Sequence, residues 1–125
     1  MKNLIIDAAN EKIFFSIITN IQSYTTTCSN SRENFDRFIT LLSCFLKKNK
    51  TSLDEINSIF INMGPGKLSS IKISISAAKA ISLVKGIDLY GFKAKDIIEN
   101  KYEKLLEIDK KYFSINNLIK PLYSS

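Results

Sequence analysis

Any chemistry in this chain must come from a short inventory of side chains. Histidine is absent, and the two cysteines, Cys28 and Cys44, lie far apart. Neither the usual zinc spacings nor a cysteine–histidine nucleophile pair can then be assembled, so both thiols read as reduced structural residues and no metal or cofactor is expected. Two acids stand where a site could be built: Asp7, which ends an apolar run, and Glu33, just ahead of a helical segment. Metal-assisted phosphodiester hydrolysis needs several carboxylates around the ions. At the end of the later apolar run 58–62, where another acid would be wanted, stand Asn62 and Met63. The remaining candidate is Gly64-Pro65-Gly66-Lys67, a turn that leads directly into a helix. Backbone amides at a helix N-terminus, with a lysine beside them, can bind an anion. The alternative is a tight strand-to-helix turn whose glycines permit close packing.

The elements that position these residues are legible in the apolar pattern. Leu4-Ile5-Ile6 running into Asp7 reads as a buried strand. Residues 12–19 follow a turn at Asn10-Glu11 as a second strand, and residues 21–28, rich in threonine, form a third. From Ser31, a candidate N-cap, the period changes: Phe35, Phe38, Ile39, Leu42, Phe45 and Leu46 recur at helical spacing, which predicts a helix of about four to five turns. Thr51 or Ser52 begins a short helical turn with Asp54 or Glu55 near its start, a loose capping-box pattern, ahead of a strand at 58–62. Residues 68–85 predict a second helix with two apolar faces, one with Ile73, Ala77, Ala80 and Val84 and the other with Ile71, Ile75, Ala78 and Ser82. The first set is assigned to the sheet and the second to a partner. Gly86 ends the helix, Ile87 to Phe92 give a further strand, and Ala94 to Ile108 predict an amphipathic helix. A short strand at 112–115 and a tail complete the chain.

Composition bounds the rest. With 125 residues, 45% of them hydrophobic, the chain can bury one core and is expected to fold as one domain with a tail. No apolar run approaches the roughly 20 residues of a membrane span, and Asp7 interrupts the N-terminus too early for a signal-peptide core. A cytoplasmic protein with no membrane partner is expected. The net charge of +6 would suit nucleic acid. The lysines are scattered, however, and the dense clusters are confined to Lys47-Lys48-Asn49-Lys50 and Lys110-Lys111. A solvated basic surface is the preferred reading, with tRNA contact weak or indirect.

The predicted order β-β-β-α-β-α-β belongs to α/β domains of the actin-like, ribonuclease-H-like class, here a mixed sheet of about five strands with flanking helices. Kinases, ATPases and nucleases share it, so topology names no activity. Four stretches then carry a family resemblance. Residues 5–10, Ile-Ile-Asp-Ala-Ala-Asn, are similar to the opening strand of TsaB (YeaZ) proteins. Ser31-Arg32-Glu33-Asn34 resembles the family's Arg-Glu-His lead into its first helix, and residues 52–59 resemble its stretch before the next strand. Gly64-Pro65-Gly66-Lys67-Leu68-Ser69-Ser70-Ile71-Lys72-Ile73 is similar to its Gly-Pro-Gly-Ser-Phe-Thr-Gly-hydrophobic-Arg-hydrophobic signature. Lys67, Ser69, Ser70, Lys72 and Asn34 depart from the pattern.

The resemblance covers residues 3–98. It implies a domain at 1–98 and, at 99–125, a short helix and tail left from a second domain, whose Pro121-Leu122-Tyr123 looks like the family ending. It also implies a scaffold without catalytic residues in the synthesis of tRNA threonylcarbamoyladenosine at position 37. That scaffold pairs with a TsaD homologue through its two main helices, works with TsaE, and forms a homodimer through the same surface. The partner residues so implied are Phe35, Phe38, Ile39, Leu42, Ile71, Ile75, Ala78 and Ser82. Asp7 becomes a degenerate phosphate-loop position, because Ala8-Ala9-Asn10 lacks the glycine and hydroxyl that wrap phosphates, and a capping role is preferred. The alternatives are a small actin-like nucleotide-binding enzyme, a basic RNA-binding module, or a decayed paralogue with no retained partner.

Overall fold

The apolar stretches become the strands of one sheet. A computed structural model describes residues 1–97, 101–108, 110, 113–115 and 119–122. β1 (Lys2–Asp7) and β2 (Lys12–Ile18) form a hairpin, and β3 (Ser23–Ser29) adds to β2 on the outer side, all antiparallel. β4 (Ile56–Asn62) runs parallel to β1, and β5 (Asp88–Phe92) runs parallel to β4. A two-residue strand, β6 (Ser114–Ile115), closes the order β3-β2-β1-β4-β5-β6. The chain is thus a mixed α/β sheet of the expected class, and β6 falls within the short strand expected at 112–115.

Helices cover one face. The predicted first helix is two pieces, α1 (Arg32–Asp36) and α2 (Phe38–Lys48), because Arg37 leaves helical geometry at φ −108°, ψ 23°. Ser31 caps α1, its hydroxyl accepting from the Asn34 amide. α3 (Leu68–Lys85) links β4 to β5 and ends at Gly86, whose φ of +67° is the left-handed conformation that glycine reaches without steric cost. Ahead of β4, the Ser52–Glu55 capping box is present.

Strand alternation divides the core. Leu4, Ile6, Ile13, Phe15, Ile17, Ile59 and Ile61 face the helices and meet Phe38, Leu42, Phe45, Ile71, Ile75 and Ala78. Each fully buried isoleucine contributes about 1.5–3 kcal/mol. On the opposite face Ile5, Ile18, Phe60 and Phe92 pack against Leu105 and Phe113 of the C-terminal segment. Phe113 stands edge-on to Phe60 at 5.7 Å between ring centroids.

That segment is not the amphipathic helix expected at 94–108. It contains 3-10 turns at Ala94–Asp96 and Tyr102–Glu107. Tyr102 and Leu105, three positions apart, both reach the sheet as the three-residue period of a 3-10 turn requires. Residues 98–100, Tyr112, Leu118 and Tyr123, parts of the expected helix, strand and tail, lie outside the described residues.

Candidate functional site

The signature turn is assembled from three chain segments. Its approach, Asn62, accepts the Gly64 amide on Oδ1 at 2.8 Å. Gly64 has φ +101°, and the Gly64–Pro65 peptide is cis. Gly66 lies directly against the loop after β1: a Cβ there would come within 2.9 Å of the Ala9 carbonyl carbon and closer still to its oxygen. The Lys67 amide then donates to that same Ala9 oxygen at 2.9 Å. Lys67 Nζ donates to the Asn30 carbonyl at 3.1 Å. Ser70 Oγ donates to the Ala8 carbonyl at 2.8 Å and accepts from Asn30 Nδ2 at 3.0 Å. Gly64, Pro65, Gly66 and Lys67 therefore weld the β1 loop, the Asn30 loop and α3 together. The Lys67 amide and one N–H of its ammonium are engaged inside the protein, so the turn has a structural role.

Asp7 is buried at the end of β1. Its Oδ1 accepts from the Ala9 amide at 3.1 Å, and its Oδ2 accepts from the Tyr102 hydroxyl at 2.7 Å. Tyr102 also stacks on Phe14 at 4.0 Å between centroids. Burial, then the Asp7 charge, then the hydrogen bond itself push the Tyr102 phenol far above its ordinary range. Asp7 is thus a capping and docking residue for the C-terminal segment. Glu33 is exposed on α1. Among the described residues no three potential metal ligands converge. Both cysteines are free: Cys44 is exposed, while Cys28 is half-buried, and burial raises its thiol despite the opposing charge of Lys12.

The helix faces correct the residue assignment made from sequence. Ile71 (0% exposed), Ile75 (3%) and Ala78 (0%) are core residues of this domain, and Ser82 turns inward to donate to the Ile87 carbonyl. Phe38 and Leu42 are likewise buried on the sheet, and Phe35 is packed against the same core. Phe38, Leu42, Ile71, Ile75 and Ala78 therefore cannot be open partner contacts, whereas Phe35 and Ser82 are half-buried. Ile39, 56% exposed, remains available. The two apolar faces of α3 were interchanged: Val84 is 79% exposed, Ala80 is exposed, and Ile73 and Ala77 are only half-buried. The reason is size. Ser70, Ser74 and Ala78, at four-residue spacing, let α3 approach the sheet closely, with the Ser74 hydroxyl satisfied by the Ile71 carbonyl at 2.9 Å. This row of small buried residues is the signal that sequence reasoning missed.

Between α2 and α3 the surface opens into an apolar groove of about 420 Å³, lined by Ile39, Leu42, Leu46, Leu53, Ile81 and Lys85 among others. Elsewhere on α3, Val84 and Leu83 are exposed, the latter 86%. Exposed apolar area of this extent on adjoining helices is characteristic of an interaction surface.

The fold has counterparts in known proteins. The chain is 24% identical over 98 residues to the tRNA threonylcarbamoyladenosine biosynthesis protein TsaB of Buchnera aphidicola from Schizaphis graminum, covering 78% of this chain and 47% of that one. Its described fold superposes on YeaZ from Pseudomonas aeruginosa with a TM-score of 0.68 at 14% identity, covering 74% of this chain and 43% of that structure. These matches support TsaB family membership over part of the chain. The chain is also 36% identical over 59 residues to a tRNA N6-adenosine threonylcarbamoyltransferase of Dehalococcoides mccartyi, covering 47% of this chain and 18% of the enzyme. No protein-family model matches. The chain spans about half the length, or less, of the TsaB relatives it matches. No helix among the described residues is long and apolar enough to cross a membrane.

Proposed function

We propose that the chain is a cytoplasmic, non-catalytic subunit in tRNA threonylcarbamoyladenosine biosynthesis, which holds a TsaD homologue against the outer face of α2 and α3. The observation that carries the reading is the apolar surface formed by exposed Ile39, Ala80 and Val84 with half-buried Ile73 and Ala77, beside the groove between the helices, in a chain similar to TsaB. A scaffold role is supported by Asp7, whose two carboxylate oxygens accept from Ala9 and Tyr102. TsaE would join through the TsaD partner, and tRNA contact stays indirect.

The test is a pull-down with the TsaD homologue of the same cell, using the parent and the variants Ile39→Asp and Val84→Asp. An unpaired carboxylate buried at an apolar contact costs several kcal/mol. Both variants should therefore keep the parent's melting temperature and lose binding. Full retention of binding by folded Ile39→Asp and Val84→Asp would remove this face from the proposal. ATP turnover by the purified parent, abolished in Asp7→Asn, would overturn the non-catalytic role.

A further inference from the structure

The helix face is not the only unpartnered surface. β3 is the outermost strand, and among the described residues no strand pairs with its outer side, although at its end the Asn34 side-chain amide donates to the Ser29 carbonyl at 2.8 Å. An edge strand presents a row of unpaired amides and carbonyls, and natural proteins commonly protect such edges with lysine, proline, a bulge or extreme shortness. β3 has none of these. It is seven residues long, Ser23-Tyr24-Thr25-Thr26-Thr27-Cys28-Ser29, with no proline and no charge. Its pairing with β2 runs from Lys12↔Ser29 to Ile18↔Ser23 without a break in register. β6, at the other edge, spans two residues and offers no comparable template.

Charge is distributed so as to leave this edge free. From Ile13 to Ser31 the chain has no Asp, Glu, Lys or Arg, although 24% of all residues are charged and the net charge is +6. Two copies of a basic protein would repel each other across most surfaces. Across β3 they would meet only hydroxyls, a thiol and a phenol.

The order of residues in β3 is also nearly palindromic. Antiparallel pairing of two copies about Thr26 sets Ser23 opposite Ser29, Tyr24 opposite Cys28, Thr25 opposite Thr27, and Thr26 opposite itself. Threonine–threonine pairs across strands are favourable, sulfur against an aromatic ring is favourable, and no like charges oppose. An interface in which residue i meets j and j meets i is what a two-fold dimer requires. We propose that β3 is a self-association edge, through which two copies of this chain join their sheets into one continuous sheet about a two-fold axis at Thr26. This edge lies on the opposite side of the sheet order from β5 and is separate from the α2–α3 face, so a dimer built this way leaves that face open.

Charge swapping at the axis tests the arrangement. Thr26→Lys and Thr26→Glu each place a charge directly against its own copy. Sedimentation velocity over a concentration series should show the parent as a dimer, each variant alone as a monomer, and an equimolar mixture of the two as a dimer again. Circular dichroism would verify that both variants fold. If either does not, amide hydrogen exchange of the parent decides: protection within residues 23–29 should rise with protein concentration. A parent that stays monomeric throughout, or exchange at β3 that is independent of concentration, overturns the proposal. So does a dimer that survives Thr26→Lys and is dispersed by Val84→Asp, since association would then run through the helices.

Discussion

Two residues show how much chemistry this chain has turned inward. Gly66 is required by proximity and not by a left-handed backbone, because the space where its Cβ would stand is taken by the Ala9 carbonyl. Gly66→Ala should destabilise the fold by about 1–3 kcal/mol, as overpacking against an unyielding backbone group does. Gly86→Ala meets open space and bears only the left-handed penalty, about 1–2 kcal/mol. Chemical denaturation of both variants would check the difference in kind: repacking around Gly66 should disturb the Lys67–Ala9 bond, and Gly86→Ala should not.

Tyr102 gives a prediction with a sign. Its phenol is held neutral in the folded protein, so the folded pKa lies above the unfolded value of about 10. The stability this provides is complete below that unfolded value and is lost as pH rises beyond it. Tyr102→Phe should therefore be less stable than the parent at pH 7 by about 1–2 kcal/mol, the worth of a hydrogen bond to a buried carboxyl. The gap should narrow as pH is raised above 10. Denaturant titrations of both proteins at neutral and alkaline pH would show it. A gap that stayed constant would mean the phenol is not protected by folding. The capping role of Asp7 was legible from sequence because Ala8-Ala9-Asn10 cannot wrap a phosphate. The partner at Tyr102 was not, since nothing local records a contact made 95 positions away.

At the scale of elements, strands were readable and helix faces were not. Runs such as Leu4-Ile5-Ile6 and Ile59-Phe60-Ile61 are apolar on both sides because the sheet is covered on both sides, and length and flanking turns then identify them. α3 defeats the same reasoning because apolar residues lie all round it, and bulk is a poor guide to which side is buried. The buried side is the one with serines and Ala78, where close approach to β1, β4 and β5 rewards small residues. The consequence is measurable. Ile75→Asp places a carboxylate in the core and should unfold the domain, a loss of several kcal/mol, while Val84→Asp melts with the parent. Thermal melts of the pair decide which face is which, whatever the partner proves to be. The break at Arg37 and the 3-10 turns near Tyr102 were hidden for another reason: a helical period of apolar residues is compatible with interrupted or tighter turns, and tertiary packing selects among them.

For the molecule as a whole, the question is whether the C-terminal segment is an appendage or part of the core. Ile5, Ile18, Phe60 and Phe92 form a second, smaller apolar sheet face, and what covers it is Leu105 and Phe113, with Tyr102 anchored to Asp7. Further along, Ile119 is fully buried, and the Leu122 amide donates to the Met63 carbonyl at 2.8 Å, beside the signature turn. A segment that only rested on the surface would not fill both places. It follows that segment and sheet should unfold in one cooperative step. Leu105→Ala removes a fully buried side chain and should cost about 2–5 kcal/mol, lowering a single transition seen alike by far-ultraviolet circular dichroism and by tyrosine fluorescence. If tyrosine fluorescence reported an early transition in Leu105→Ala while the sheet signal melted with the parent, the segment would be a separable unit. The second face of the sheet would then be able to stand open, and a partner there would have to be considered alongside the one proposed for α2 and α3.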